Sequence, residues 1–214
     1  MKEIVFFDLD GTLIDSSRGI YMSINYALEK MDWPTLTEEQ LRTFIGPPLL
    51  DSFKKIGMTN ETAELGVKYY RELYAQKGMH EVHVYDGISD TLAALHQTKT
   101  LYLATSKPEK FAKEIIENLG FSNYFSGIYG ADLEGKRSAK SDVLAYALTE
   151  TNAVKEEAVM IGDRQHDMLG AKNNGLTSIG VLYGFGDREE LEIAGADAII
   201  QHPRELLPLL DKEF

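Results

Sequence analysis

From Tyr85 onward, short apolar runs alternate with segments whose apolar residues recur at helical spacing. The runs of strand length lie at 101–104, 127–130, 158–161, 177–181 and 196–200, and the helical patterns at 108–119, 140–149, 167–174, 188–193 and 204–210. Parallel strands must be joined by crossovers, most often helices, so this alternation predicts βαβ units and a parallel sheet covered on both faces. An earlier run, residues 3–8, belongs to the same sheet. Pro108 suits a first helical turn, and Gly120 and Gly175 suit positions just past helix ends. The expected fold class is therefore α/β with a doubly wound parallel sheet.

Residues 16–82 interrupt this pattern and read helical throughout. Ile20, Ile24, Ala27, Leu28 and Met31 recur at helical spacing behind Ser16 and Ser17, both good N-cap types. Thr37-Glu38-Glu39-Gln40 has the form of a capping box ahead of Leu41 and Phe44. Gly46-Pro47-Pro48 turns the chain. Leu49, Leu50 and Phe53 make a short amphipathic stretch that ends near Gly57, and Val67, Tyr70, Leu73 and Tyr74 mark a last helix closing near Gly78. The expected organisation is an α/β core of residues 1–15 and 83–214, with residues 16–82 as a bundle of about four helices inserted after the first strand.

The net charge of −12 argues against nucleic acid as a partner, because binding a polyanion relies on basic side chains neutralising phosphates. A small phosphorylated molecule stays compatible if its charge is met locally by a metal and a few cations. With no cysteine, disulfides, thiolate catalysis and Cys-ligated zinc are all excluded. The N-terminal apolar run is too short for a signal peptide, and no run is long enough to span a bilayer. The expectation is a soluble cytoplasmic protein with no membrane partner.

In doubly wound sheets ligands bind beyond the carboxyl ends of the strands, which makes the residues there the informative ones. Behind Ile4-Val5-Phe6-Phe7 stand Asp8-Leu9-Asp10-Gly11-Thr12-Leu13. Two carboxylates at the edge of a core repel each other, so packing alone disfavours the pair, whereas it suits a metal site next to a nucleophile. Behind 101–104 come Thr105-Ser106-Lys107, small hydroxyls and free N–H groups at a helix start, a natural anion site. Behind 158–161 come Gly162-Asp163-Arg164-Gln165-His166-Asp167, whose two aspartates share a face if the segment turns helically. His166 reads as a loop residue. Lys140 opens a helix, where a cation is disfavoured, so its position calls for a reason. Lys136, in a Gly-containing loop nearby, is the rival cation.

In this order, the four pieces resemble the signature of the haloacid dehalogenase superfamily, specifically its phosphatases similar to phosphoglycolate phosphatase. Phe7-Asp8-Leu9-Asp10-Gly11-Thr12-Leu13 matches the first motif, Thr105 the second, Lys140 the third, and Gly162-Asp163 with Asp167 the fourth. The helical insert looks like that group's cap, and Leu182-Tyr183-Gly184-Phe185-Gly186 resembles a family loop near the site. Two positions depart from the pattern: Arg164 stands where Ser is common, and Ser141 where Pro often follows the third-motif Lys.

The resemblance implies a Mg²⁺-dependent phosphomonoester hydrolase acting on a small phosphorylated metabolite. It makes Asp8 the nucleophile of an aspartyl-phosphate intermediate and Asp10 the general acid and base. Thr105, the N–H of Ser106 and Lys140 would hold the phosphoryl oxygens, with Gly11 and Thr12 at the same phosphate site. Asp8, the Asp10 carbonyl, Asp163 and Asp167 would hold Mg²⁺. Within the insert, Arg42 could pair with a substrate carboxylate. A 5'-nucleotidase, a pyrophosphatase, a phosphosugar mutase and a catalytically silent binding protein on the same fold remain open at this point.

Overall fold

A computed structural model describes residues 2–212. The chain divides into two compact units, Met1–Ile14 with Val84–Phe214, and Asp15–His83. Strand β1 (Ile4–Phe7) opens the first unit, and β2 (Ile14–Asp15) leads out of it.

The second unit holds helices α1 (Ser17–Lys30), α2 (Glu38–Arg42), α3 (Leu49–Lys55) and α4 (Asn60–Gln76). In α1 the first-turn N–H of Ser17 is taken by Asp15 Oδ1 at 2.9 Å, so Ser16 occupies the cap position without a side-chain cap bond. Thr37 and Gln40 close the reciprocal capping box of α2, at 3.3 and 2.9 Å. The interior is aromatic and aliphatic: Phe44 meets the edge of Phe53 and Tyr70 stacks on Tyr74, both at 5.2 Å.

The chain returns through β3 (His83–Val84), which pairs with β2. Then follow α5 (Ile88–Leu95), β4 (Thr100–Pro108), α6 (Glu109–Asn118), β5 (Phe125–Ala131), α7 (Lys140–Thr151), β6 (Ala158–Gly162), α8 (Gln165–Asn174), β7 (Thr177–Val181), α9 (Arg188–Ala194), β8 (Ala198–Ile200) and α10 (Leu206–Lys212). The six-stranded sheet has the order β5-β4-β1-β6-β7-β8 and its neighbours pair in parallel, the α/β class expected from the alternating runs.

Three local details differ from the sequence expectation. Helix α5 was not anticipated: Ile88, Leu92 and Leu95 are buried at helical spacing behind Gly87, but its two turns follow a strand of only two residues, so no strand-like run announces it. Strand β4 extends to Pro108, which caps α6 instead of entering its first turn. His166 lies in the first turn of α8, not in a loop.

Strand β1 is central, with β4 on one side and β6 on the other. Val5, Phe6 and Phe7 are fully buried, as strands covered on both faces require. Phe6 packs among Val143, Leu144, Met160 and Ala171, tying α7 and α8 to the sheet. The chain builds outward from β1 through β4 to β5, then crosses back to β6 and builds the other way. That reversal leaves a crevice at the carboxyl end of β1.

Candidate active site

The crevice begins at Asp8, whose N–H donates to Ile161 O of β6 at 2.9 Å and so continues the ladder one residue past β1. The chain then closes a tight loop. Leu9 O accepts from the N–H groups of Leu13 and Ile14 at 2.9 and 3.1 Å, and Gly11 N–H donates to Ile14 O at 2.8 Å. Gly11 has φ +82°, and a Cβ there would lie 2.1 Å from Asp163 Oδ2. Only glycine fits both the left-handed backbone and the approach of that carboxylate.

Asp163 comes from the end of β6 and is fully buried. Thr12 Oγ1 donates to its Oδ1 at 3.2 Å, and the N–H of Phe185 donates to its Oδ2 at 2.8 Å. Asp167 sits in the first turn of α8, where its Oδ2 accepts from Arg164 N–H at 3.1 Å. The two aspartates therefore converge from a strand end and a helix start, not from one helical face. Arg164 itself is engaged by Glu190, whose Oε1 lies 2.8 Å from Nε.

Lys140, in the first turn of α7, is 4 % exposed and reaches the same point. Its Nζ lies 2.7 Å from Asp8 Oδ1 and 2.8 Å from Asp167 Oδ1, and donates to Ala104 O at 2.9 Å. Lys136 is instead exposed and pairs with Glu134 at 2.7 Å. The disfavoured position of a lysine at a helix start is thus compensated by two buried carboxylates.

The electrostatics follow from this crowding. Burial pushes Asp8 up to about 6, with Asp167 and Asp10 adding to the effect and Lys140 opposing it. Burial, then Asp167 and Asp8, hold Asp163 well above the usual carboxylate range. For Lys140 burial alone would favour the neutral amine, but Asp167 and Asp8 outweigh it and raise the ammonium above its ordinary value.

Asp8, Asp163 and Asp167 each offer a ligand oxygen, all within 4.8 Å of one another. Asp8 Oδ1 and Asp167 Oδ1 are buried, and each is paired with the Lys140 ammonium. Three carboxylates against one ammonium leave two formal negative charges, which suits a divalent cation with oxygen ligands. The donor set fits a metal.

Around this cluster stand the other residues singled out from the sequence. Asp10 is 2.9 Å from Lys107 Nζ, through its Oδ1. Thr105 is buried at the end of β4, and its Oγ1 accepts from Lys107 N–H at 3.2 Å. Ser106 is half-buried between them. Thr12 is fully buried, its hydroxyl directed to Asp163. Arg42 occupies the last turn of α2 in the other unit. Lys107 was missed by sequence reasoning as a site residue; the signal available was its place beside Thr105 and Ser106 at a strand end.

A family profile described as haloacid dehalogenase-like hydrolase matches residues 5–181, a span that includes every residue of the buried cluster. The chain belongs to the haloacid dehalogenase-like hydrolases. It is 44 % identical over 191 residues to a 5'-nucleotidase of Pseudomonas aeruginosa, covering 87 % of this chain and 86 % of that one. It is 36 % identical over 211 residues to the tyrosine-protein kinase PtkA of Mycobacterium tuberculosis, covering 96 % and 72 %. It is 30 % identical over 218 residues to a phosphoglycolate phosphatase of Vibrio parahaemolyticus, covering 97 % and 96 %. The crystal structure of a predicted phosphatase from Clostridium acetobutylicum superposes with a TM-score of 0.95 at 44 % identity, covering 99 % of each chain. The haloacid dehalogenase-like protein is thus a phosphatase-type hydrolase. Among the described residues no helix is long and apolar enough to cross a membrane.

Proposed function

We propose that the protein is a Mg²⁺-dependent phosphomonoester hydrolase that works through a phosphorylated Asp8. The observation that carries this reading is Asp8 itself, a buried carboxylate at the crevice-facing end of the central strand, among Asp163, Asp167 and Lys140.

Asp8, Asp163 and Asp167, with the backbone carbonyl of Asp10, would hold the ion. When bound, Mg²⁺ neutralises charge between the anionic nucleophile and the phosphoryl group and orients both. A carboxylate oxygen of Asp8 attacks phosphorus, forming the acyl-phosphate bond as the phosphorus–ester oxygen bond breaks. Asp10 gives its proton to the departing alkoxide, which leaves as the alcohol. Water then attacks the phosphorus, Asp10 takes a proton from it, and Asp8 is released together with inorganic phosphate. Lys140, Thr105 and the N–H of Ser106 meet the phosphoryl oxygens while charge shifts among them, beside the loop of Gly11 and Thr12.

The two named hydrolase relatives order the candidates. The 44 % identity to a 5'-nucleotidase supports nucleoside 5'-monophosphates as the first candidates to test, and the 30 % identity to a phosphoglycolate phosphatase supports phosphoglycolate as the next. The helical unit carrying Arg42 is the proposed source of selectivity, and Arg42→Ala should raise KM for carboxylate-bearing substrates without lowering kcat. The test is phosphate release from nucleoside monophosphates, phosphoglycolate, sugar phosphates and pyrophosphate, with Asp8→Asn and excess EDTA as controls. Release that vanishes in both controls supports the reading. No release from any compound by folded, Mg²⁺-supplied protein overturns it and favours a mutase or a silent binder.

A further inference from the structure

Strands β4 and β5 pair regularly as far as Thr105 opposite Gly130, but the next pair is Pro108 opposite Ala131. Ser106 and Lys107 are therefore extra residues on β4, a bulge at the very end of the strand. The bulge is held from inside by Thr105 Oγ1, which accepts the Lys107 N–H at 3.2 Å. It also lies hard against its neighbour: a Cβ on Gly130 would stand 2.7 Å from Lys107 O and 2.6 Å from Glu109 Cα, so glycine is required there. Bulges at sheet ends re-aim single side chains, and this one turns Lys107 inward.

Lys107 is 8 % exposed, and its ammonium sits 2.9 Å from Asp10 Oδ1. Burying a lysine forfeits hydration and rotamer freedom, so the fold must match it with a charge. The two aspartates that follow β1 consequently have separate ammonium partners, Lys140 for Asp8 and Lys107 for Asp10. Lys107 thus contacts the side chain assigned to proton transfer.

We propose that Lys107 is a positioning residue: the β4 bulge delivers its ammonium to fix the Asp10 carboxyl group for proton transfer to the departing alcohol. The inference rests on the aspartate-nucleophile reading above. It predicts dependence on the leaving group. An alkyl alcohol must be protonated as it departs, whereas p-nitrophenolate leaves as a stable anion and needs no acid.

The experiment compares kcat/KM, which reports the steps through alcohol release, for the best alkyl phosphate and for p-nitrophenyl phosphate. Lys107→Met should lower kcat/KM on the alkyl ester about 100-fold and on the aryl ester only about threefold, with Lys107→Arg recovering most of the loss. In an Asp10→Asn background, Lys107→Met should cost nothing further on the alkyl ester. Equal losses on both esters, a rise in KM alone, no loss, or full additivity with Asp10→Asn would each overturn the proposal while leaving Asp8 chemistry intact. A wild-type protein without Asp8-dependent turnover would overturn the underlying reading, and the proposal with it.

Discussion

The ammonium of Lys140 lies 2.7 Å from Asp8 Oδ1, with both side chains buried. The ion pair holds Asp8 at the strand end and lowers the cost of keeping an anion there, against burial that pushes it the other way. Removing the lysine should therefore strip both the nucleophile and the phosphoryl group of a neutralising partner. Lys140→Ala is expected to lower kcat at least ~100-fold, the scale of losing one preorganised electrostatic contact. Lys136→Ala, on an exposed ion pair, should stay near wild type. Steady-state kinetics of the two variants side by side check this, and the reverse pattern would reassign the cation.

Metal binding should depend on pH in a direction set by Asp8 and Asp163, both raised by burial. For Asp8 the folded-state value of about 6 lies above the ordinary carboxylate value near ~3.9. The folded metal-free protein thus holds this proton more tightly than the unfolded chain. The associated stability is fully present below about pH 4 and is lost as pH rises through about 6. Mg²⁺ requires the ionised forms, and Asp163 is raised as well, so the gain in Tm from saturating Mg²⁺ over EDTA should be small near pH ~5 and grow as pH rises through about 6. A gain that is flat across this range, or that shrinks as pH rises, would contradict the assignment.

Gly11 gives a test of the site through its backbone. Alanine there would have to adopt φ +82° and place a Cβ 2.1 Å from Asp163 Oδ2. The left-handed conformation alone costs about 1–2 kcal/mol, and the clash must displace the carboxylate. Gly11→Ala is expected to abolish most of the Mg²⁺-induced rise in Tm and to reduce turnover at least ~100-fold while the protein still folds. Differential scanning fluorimetry with and without Mg²⁺ reads the first effect independently of activity.

The sheet was readable because its strands are buried on both faces. Val5, Phe6 and Phe7, or Val159, Met160 and Ile161, form continuous apolar runs that no exposed segment would carry. Helix α5 escaped notice since Ile88, Leu92 and Leu95 offer only two turns of periodicity. Asp163 and Asp167 were paired from their spacing, but in the folded chain one ends a strand and the other caps a helix; spacing alone does not tell those cases apart. Lys107 was legible only as part of the Thr105-Ser106-Lys107 stretch. That its ammonium meets Asp10 follows from the bulge, a feature of pairing between β4 and β5. Likewise the choice between Lys140 and Lys136 depended on where α7 points, which follows from its packing with α8 on the sheet.

The central claim is that Asp8 carries the phosphoryl group, and a rapid-quench experiment with ³²P-labelled phosphomonoester addresses it directly. During turnover with Mg²⁺ the wild-type protein should acquire acid-stable, hydroxylamine-labile label that maps to Asp8, and Asp8→Asn should acquire none. Label that persists in Asp8→Asn, or rapid turnover by wild type with no trapped phosphoprotein at any quench time, would contradict it.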